Sequence, residues 1–203
     1  MKLLVATRNR GKTAEMEHLL DGTGWRVVDM SAIGQDIEIV EDGKTFEENA
    51  RKKAEAAAKV WKMWTLADDS GLEIDALGGE PGIHSARLCG PNATDNDRTR
   101  MILDKIIAVP DEHRTARFCC VMCLIDPAGH KRIFEGVCHG RIAHHARGTT
   151  GFGYDPVFVP KGYSRTFAEL GLEVKNRFSH RAKAMQQVVE YLKTRVRKPD
   201  KHR

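Results

Sequence analysis

The chain has 203 residues, of which 41% are hydrophobic and 30% are charged, and its formal net charge is +5. These proportions are typical of a globular protein and exclude a wholly disordered or fibrous chain. Its apolar runs are far shorter than the ~20 residues of a membrane-spanning helix, so we expect no membrane association. Part of the positive charge lies in residues 195–203, RVRKPDKHR, which we interpret as a solvated basic tail.

The chain contains five cysteines, an odd number without the spacing of a disulfide framework. This usage is typical of a reducing compartment, and we therefore expect free thiols and a cytoplasmic protein. Cys120 and Cys123 form a C-x-x-C pair, but side chains three positions apart on a strand point to opposite faces. We interpret the pair as core packing rather than as a metal site.

The first predicted elements are a strand at residues 2–7, a polar turn at 8–11 and a helix that carries Met16, Leu19 and Leu20 on one face. A strand, a polar turn and a helix in this order present backbone amides to an anion. The beginning of the chain is therefore a candidate anion-binding site.

A second helix is predicted from a capping box, in which Glu48 follows Thr45 by three residues. Its buried face is indicated by apolar residues at helical spacing: Phe46, Ala50, Ala54, Ala57, Ala58 and Trp61. We expect this helix to end near Met63.

The short apolar run at residues 65–67 leads to Asp68 and Asp69, and an apolar pattern resumes at residues 72–74. The two acids are predicted to lie at the end of the apolar segment, and Gly71 would allow a tight turn shortly after them. We therefore expect both carboxylates beside strand ends.

In the second half of the chain, the apolar periodicity and the turn residues predict a helix at residues 94–107 and an antiparallel hairpin of strands 114–125 and 131–141. They also predict a final helix at residues 180–196. Strands with interspersed helices indicate an α/β fold with a mixed sheet. Because no repeat or flexible linker divides the sequence, we expect one unit over residues 1–194, followed by the tail.

Thr7, Asn9 and Lys12 form the first candidate site, within one turn after the first strand. A hydroxyl and an amide can donate to phosphate oxygens, and a lysine supplies the positive charge that triphosphate binding requires. The spacing is not that of a Walker A loop, so that mechanism is not inferred. The alternative is a capped helix start with a surface lysine.

Asp68 and Asp69 form the second candidate site. Carboxylate oxygens suit Mg²⁺, which shares its coordination shell with substrate phosphates, and a carboxylate can also take a proton from an attacking water. Glu41 is predicted to supply a further metal-binding oxygen. It is preferred to Glu48, because Glu48 already caps the second helix. The alternative is an Asx-turn that solvates both acids.

Two further candidate sites lie in the second half of the chain. The segment GFGYDP, residues 151–156, opens the backbone around two aromatic rings that can stack on a purine; the alternative is an aromatic plug in the core. Lys175, His180 and Arg181 lie at the entrance to the final helix, where cations and helix-start amides converge. The alternative is a set of surface charges.

Together the segments TRNRGK, EDGKTFEENA, ADDSGLEIDALGGEPGIHSAR, GFGYDPVF and SHR resemble, in order, the motifs of the inosine triphosphate pyrophosphatase-like family of non-canonical purine nucleoside triphosphate pyrophosphatases. The resemblance runs from about residue 3 to about residue 192. It implies an elongated central mixed β-sheet with flanking helices that form two lobes around a substrate cleft, and a homodimer. It also implies hydrolysis of ITP, dITP and XTP to the monophosphate and pyrophosphate.

The resemblance implies roles for individual residues. Asp69 would be the catalytic base and, with Glu41, a ligand of the Mg²⁺ cofactor. The substrate-binding residues would be Thr7, Arg8, Asn9, Arg10, Gly11, Lys12, Ser70, Phe152, Gly153, Tyr154, Asp155, Lys175, His180 and Arg181. Two positions depart from the family pattern: Arg8 stands where a small residue is usual, and His84 stands where tyrosine is usual. Arg8 either alters the geometry of the phosphate loop or adds a phosphate contact.

In the implied reaction, water attacks the α-phosphorus while Mg²⁺ and lysines neutralise the leaving pyrophosphate. Donors at His180 and Arg181 directed at the purine O6 would favour inosine and xanthosine nucleotides over adenine, whose amino group leaves such donors unpaired. Guanine keeps O6, so this argument does not reject GTP.

Two other functions remain open. One is a pyrophosphatase for other modified or canonical triphosphates, and the other is a basic nucleic-acid-binding module that uses the tail and the GFGY loop. The second would place Asp68 and Asp69 near nucleic-acid phosphates unless a metal intervened. We therefore expect a purine nucleotide substrate and no stable nucleic-acid partner.

Overall fold

The structure, a computed structural model, describes residues 1–30, 37 and 39–195. Its strands in chain order are Lys2–Val5 (β1), Arg26–Asp29 (β2), Thr65–Ile74 (β3), Thr115–Ile125 (β4), Lys131–Ile142 (β5) and Phe158–Pro160 (β6). Its α-helices are Arg10–Leu20 (α1), Phe46–Trp61 (α2), Asp95–Lys105 (α3), Phe167–Leu170 (α4), Leu172–Phe178 (α5) and His180–Lys193 (α6).

The strands form one mixed sheet in the order β2-β1-β3-β4-β5-β6. β1 is parallel to both β2 and β3, whereas the pairs β3–β4, β4–β5 and β5–β6 are antiparallel. Helices α1 and α6 pack on one face of the sheet and α2 packs on the other. The predicted α/β fold with a mixed sheet, flanking helices and a β4–β5 hairpin is confirmed.

The helix boundaries follow from local capping. Thr45 Oγ1 accepts a hydrogen bond from Glu48 N at 3.1 Å, as predicted, but the Glu48 carboxylate accepts from Lys44 N rather than from Thr45 N. The predicted capping box is therefore incomplete. The helix ends at Trp61, because Lys62 adopts the left-handed conformation with φ of 47°. α6 is described as far as Lys193, and position 196, its predicted end, lies outside the described residues.

The two faces of the sheet bury different parts of the core, because side chains alternate along a strand. Cys120 packs with residues of α1 and α6, whereas Cys123 packs against the alanines of α2. The prediction that this C-x-x-C pair belongs to the core is confirmed, and all five cysteines are free thiols. A third cluster, which includes Ile102 of α3 and Phe118 of β4, fills the other half of the molecule.

The prediction that Asp68 and Asp69 lie at the end of an apolar segment is wrong. β3 runs without interruption from Thr65 to Ile74, and both acids are buried within it. Gly71 makes no turn; a Cβ atom there would lie only 2.3 Å from Gly82 O, so the glycine allows residues 82–85 to pack on the strand. The strand that ends beside the acids is β1, whose last residue pairs with Leu66.

Some short elements were not predicted, among them β2, α4 and α5. β2 is a four-residue edge strand with a partly exposed Arg-Val-Val-Asp sequence, so its apolar pattern is weak. α4 has a complete capping box between Thr166 and Glu169, a signal that the sequence carried. Within the described ranges, no helix combines the length and the apolar character needed to cross a membrane. The predicted division into residues 1–194 and a tail stays a prediction.

The contact between β5 and α6 yields a prediction about stability. A Cβ atom on Gly136 would lie 2.0 Å from His180 O and 2.7 Å from Ala184 N, which are backbone atoms of the helix. Because backbone cannot yield as a flexible side chain does, we expect Gly136→Ala to lower the free energy of unfolding by about 1–3 kcal/mol. Urea denaturation measures it. The neighbouring exposed Glu135→Ala should change it by less than about 0.5 kcal/mol, and equal stability of the two variants would contradict the packing argument.

Candidate active site

A cleft opens on the α1 and α6 side of the sheet. Its walls come from the start of α1, the middle of β3 and β4, the first turn of α3 with the segment before it, the loop at residues 151–155, α5 and the start of α6. The lining residues are Asn9, Lys12, Ser70, Gly71, Ser85, Ala86, Asp95, Arg98, Phe118, Phe152, Gly153, Tyr154, Asp155, Lys175, His180 and Arg181.

The start of α1 is built from the predicted phosphate-binding loop. Asn9 caps the helix, since its Oδ1 accepts from Lys12 N at 3.1 Å, and Thr7 Oγ1 accepts from Asn9 N at 3.2 Å. The first helical turn therefore begins where β1 ends, with its amides and positive dipole end at the mouth of the cleft. Gly11 lies against the Phe152 ring, because a Cβ atom there would be 2.5 Å from it.

Asp68 is a buried anion between two cations. Its Oδ1 lies 2.9 Å from Lys12 Nζ, and its Oδ2 accepts from Arg181 Nε at 3.2 Å and from Arg181 Nη2 at 3.1 Å. Burial by itself would raise the pKa of Asp68, but the charges of Lys12, Arg181 and Lys53 hold that pKa well below its usual range. The carboxylate is therefore ionised and joins β3 to α1 and α6.

Glu15 extends this ion network along α1. Its Oε2 accepts from Arg181 Nη1 at 2.5 Å, and its Oε1 lies 2.8 Å from Lys175 Nζ. Lys175 in turn donates to Asp155 Oδ2 at 2.6 Å. These side chains are almost completely buried, so each depends on the others for its counter-charge.

Asp69 faces the other side of the sheet, as its position next to Asp68 requires. Its Oδ1 accepts from Lys53 Nζ at 2.7 Å, and its Oδ2 accepts from Asn49 Nδ2 at 3.2 Å. Glu41 Oε1 lies 3.7 Å from the same Lys53 Nζ. Burial raises the pKa of Asp69, although the Lys53 charge opposes that rise. Both oxygens of this carboxylate are thus held in a fixed orientation.

The loop at residues 151–155 holds its aromatic rings in different environments. Phe152 is partly exposed and lies over cations, with Lys175 Nζ 4.5 Å and Arg181 Cζ 5.6 Å from the ring centroid. Tyr154 is buried, and its hydroxyl donates to Ser85 O at 2.8 Å. Asp155 Oδ2 accepts from Phe152 N at 3.0 Å. The stacking ring that the cleft offers is therefore Phe152, while Tyr154 fixes the loop.

His180 closes the inner end of the cleft. Its ring stacks on Phe118 with a centroid distance of 4.6 Å, and 3% of the residue is exposed. Burial lowers the pKa of His180 well below its ordinary range, and the charges of Arg181 and Lys175 add to this effect. The imidazole is therefore neutral. Its Nδ1 is buried without a hydrogen-bond partner in the described part of the chain.

The structure brings most of the predicted site residues together. The cleft is lined by Asn9, Lys12, Ser70, Phe152, Gly153, Tyr154, Asp155, Lys175, His180 and Arg181. Thr7, Arg8, Arg10 and Gly11 belong to the same loop and helix start but do not line the cleft. Asp69 and Glu41 do not line the cleft either; both carboxylates lie within 4 Å of Lys53 Nζ on the α2 side of the sheet. Arg8 Nη2 donates to Ile37 O at 3.0 Å.

Several site residues were not identified from the sequence. Asn49 and Lys53 lie with the alanine stripe on the buried face of α2, and two polar residues on such a stripe are a signal of a buried polar site. Glu15 lies one turn beyond Lys12 on α1. Asp95 carried no distinctive signal, because an acid in the first turn of a helix is common.

The chain is similar to known proteins over most of its length. A model of the Ham1 family matches residues 3–191. The dITP/XTP pyrophosphatase of Desulforamulus reducens is 46% identical over 192 residues, covering 95% of this chain and 96% of that relative. That of Bacillus subtilis is 43% identical over 189 residues, covering 93% and 96%.

Solved structures show the same fold. The Ham1 protein of Staphylococcus aureus superposes with a TM-score of 0.84 at 37% identity, covering 96% of this chain and 100% of that chain. A HAM1 protein from Coxiella burnetii gives a TM-score of 0.84 at 41% identity, covering 96% and 99%.

The Glu15 ion pairs yield a prediction with a defined pH dependence. Burial by itself would raise the pKa of Glu15, but Arg181 and Lys175 hold it below its ordinary value. Its stabilising effect is therefore complete above the unfolded pKa of about 4.3 and is lost as the pH falls through the lower folded pKa. At pH 7 we expect Glu15→Gln to lower the free energy of unfolding by about 3–5 kcal/mol, because two buried cations lose a counter-charge.

Urea unfolding of wild type and Glu15→Gln between pH 7 and pH 3 measures this effect. The difference should be constant down to about pH 5 and should shrink below about pH 4. Glu17→Gln changes an exposed glutamate of the same helix and should have little effect. A Glu15→Gln effect that is small at pH 7, or that grows on acidification, would contradict the assigned ion pairs.

Proposed function

The chain belongs to the Ham1 family, and from that premise we propose that it hydrolyses the deaminated purine nucleoside triphosphates ITP, dITP and XTP to the monophosphate and pyrophosphate. The membership of this family confirms the resemblance that was identified from the sequence motifs. The observation that carries the proposal is a cleft that joins a helix start suited to phosphate with a neutral buried imidazole suited to a purine. Asp69 lies on the opposite face of β3 from this cleft, but the charge of Lys12, which lines the cleft, adds to that of Lys53 in opposing the rise that burial causes in the pKa of Asp69.

At the phosphate end, Asn9, Lys12 and the first-turn amides of α1 would bind the triphosphate. The cationic side chains around them are already paired: Lys12 with Asp68, Lys53 with Asp69, Lys175 with Glu15 and Asp155, and Arg181 with Asp68 and Glu15. Because positive and negative side chains balance, the charge of a triphosphate needs a further source of neutralisation. The helix dipole would supply part of it, and a bound divalent cation would supply the rest.

Asp69 and Glu41 fit a Mg²⁺ ion. Lys53 Nζ lies within 4 Å of both carboxylates, so a cation is already stabilised between them. The described residues contain no group of three or more His, Cys, Asp or Glu placed to hold a metal. From the two carboxylates around Lys53 we propose that Asp69 and Glu41 would hold Mg²⁺, an ion that usually keeps waters and shares its ligands with substrate phosphates. When bound, Mg²⁺ supplies positive charge that stabilises the leaving pyrophosphate.

Asp69 is the proposed general base. Its carboxylate would take a proton from a water whose oxygen bonds to the α-phosphorus, while the bond from that phosphorus to the bridging oxygen breaks and pyrophosphate leaves. Lys53 and Asn49 hold the carboxylate in one orientation, which keeps the basic oxygen placed for this transfer. Lys53 is thus a positioning residue in the proposed mechanism.

At the nucleoside end, the structure favours His180 over Arg181 for recognition of the purine O6. The hydrogen bonds of Arg181 to Asp68, Glu15 and Ser70 use four of the five N–H groups of its guanidinium. His180 Nδ1, by contrast, has no hydrogen-bond partner among residues 1–30, 37 and 39–195. A neutral imidazole that donates to O6 accepts hypoxanthine and xanthine, and it leaves a donor unpaired against the adenine amino group.

The homodimer, the cytoplasmic location and the absence of a stable nucleic-acid partner remain parts of the proposal. The dimer rests on the family resemblance. The cytoplasmic location rests on cysteine usage typical of a reducing compartment.

We expect metal-dependent pyrophosphate release that favours ITP, dITP and XTP. With Mg²⁺, the rate on each should exceed the rate on ATP by about tenfold or more, because an unpaired buried donor costs about 1–3 kcal/mol. EDTA should abolish release. The assay compares ITP, dITP, XTP, GTP and ATP at equal enzyme concentration. Equal rates on all five would reject the selectivity, and no release from any, together with tight salt-dependent RNA binding, would support the nucleic-acid alternative.

We expect Asp69→Asn to lower kcat by about 10²–10⁴-fold, the usual contribution of a general base. Nucleotide affinity measured by calorimetry without metal should change little, because the amide is close in shape to the carboxylate and Asp69 is not one of the residues proposed to contact the nucleotide. Asp42→Asn, which changes an exposed acid paired with Lys52, is the matched control and should keep wild-type turnover. Near-normal turnover of Asp69→Asn would reject the assigned role.

A further inference from the structure

We infer that Asp95 is a positioning residue for the nucleotide-binding loop at residues 151–155. The inference rests on the proposed function and adds to it a residue outside the proposed phosphate-binding and metal-binding residues. Asp95 is the first residue of α3 and lines the cleft. Its Oδ2 accepts a hydrogen bond from Gly153 N at 2.6 Å, between residues that are 58 positions apart in the chain.

The carboxylate of Asp95 is itself held in place by Arg98. Arg98 Nη2 donates to Asp95 Oδ1 at 2.6 Å, while Arg98 Nη1 donates to Ala93 O at 2.7 Å and to Ala86 O at 3.3 Å. The side chain of Arg98 is 15% exposed. The two carboxylate oxygens of Asp95 therefore have separate partners. Arg98 binds Oδ1 and orients the carboxylate, and Oδ2 holds the amide of Gly153.

The restrained amide lies next to the ring that the cleft offers for stacking. Phe152 N donates to Asp155 Oδ2, and the next amide, Gly153 N, donates to Asp95 Oδ2. Two successive amides are thus held by carboxylates on different elements. Phe152 lies in turn against Gly11 of α1 and over Lys175. Because Gly153 follows Phe152 directly, the position of Gly153 determines where the Phe152 ring lies between Gly11 and Lys175.

An acid in the first turn of a helix also stabilises the helix dipole, and this is the structural role to be separated from positioning. Asp97 provides the comparison, because it stabilises the same helix start through the capping box with Thr94 and makes no contact with the loop among its hydrogen bonds. Loss of either acid should weaken α3. Only loss of Asp95 should release the loop.

The test is the steady-state kinetics of Asp95→Ala and Asp97→Ala on ITP with Mg²⁺. For Asp95→Ala we expect KM to rise about tenfold with kcat within about threefold of wild type, because the loop binds the nucleoside equally in ground and transition states. For Asp97→Ala we expect a lower Tm with an unchanged KM. An unchanged KM in Asp95→Ala, or an equal rise in Asp97→Ala, overturns the inference.

Amide hydrogen exchange of Gly153 and calorimetric binding of inosine monophosphate test the inference without turnover. Gly153 should exchange faster in Asp95→Ala than in wild type or Asp97→Ala, and Asp95→Ala should bind the monophosphate about tenfold more weakly. If wild type binds the monophosphate but releases no pyrophosphate, the proposed function fails while these two measurements still decide the role of Asp95. If wild type binds no monophosphate, or if exchange and affinity are equal in all three proteins, the inference is overturned.

Discussion

The buried carboxylate of Asp68 is the interaction on which the site depends. A charge removed from water is tolerated only when it is paired and hydrogen-bonded, and Asp68 meets that condition with Lys12 of α1 and Arg181 of α6. Arg181 then pairs with Glu15, Glu15 with Lys175, and Lys175 with Asp155. One chain of ion pairs therefore links β3, both helices on that face, α5 and the loop at residues 151–155.

The alternation of side chains along β3 explains why adjacent acids have different surroundings. Asp68 lies among the cations under α1 and α6, and Asp69 lies on the α2 side with Asn49 and Lys53. Burial opposes ionisation of both, but Asp68 has the stronger set of cations, so the pKa of Asp68 is lowered and that of Asp69 is raised. One strand thus supplies an anion that is paired within the core and a second carboxylate whose pKa is raised by burial.

Much of this organisation could be predicted from local sequence, and the failures have a common cause. The β4–β5 hairpin and the helices at 10–20 and 46–61 follow from periodicity and capping, which involve residues close in the chain. The path of β3 could not be predicted, because acids inside a buried strand are unfavourable until their partners are known. Those partners lie as far as 113 positions away, at Arg181. The contact between Asp95 and Gly153 could not be predicted either, because its two residues are 58 positions apart in the chain.

The cations of this ion network differ in their exposure to solvent, and therefore in how easily each can change partner. Arg181 and Lys175 have 2% side-chain exposure, whereas Lys12 has 15% and lies at the dipole end of α1. If Lys12 turned towards a bound phosphate, Asp68 would still keep its hydrogen bonds to Arg181. Asp68 would therefore not become an unpaired buried charge, which is the state that folding disfavours most strongly. Under the proposed function, this makes Lys12 the cation of the network that a triphosphate can recruit without unfolding the site around it.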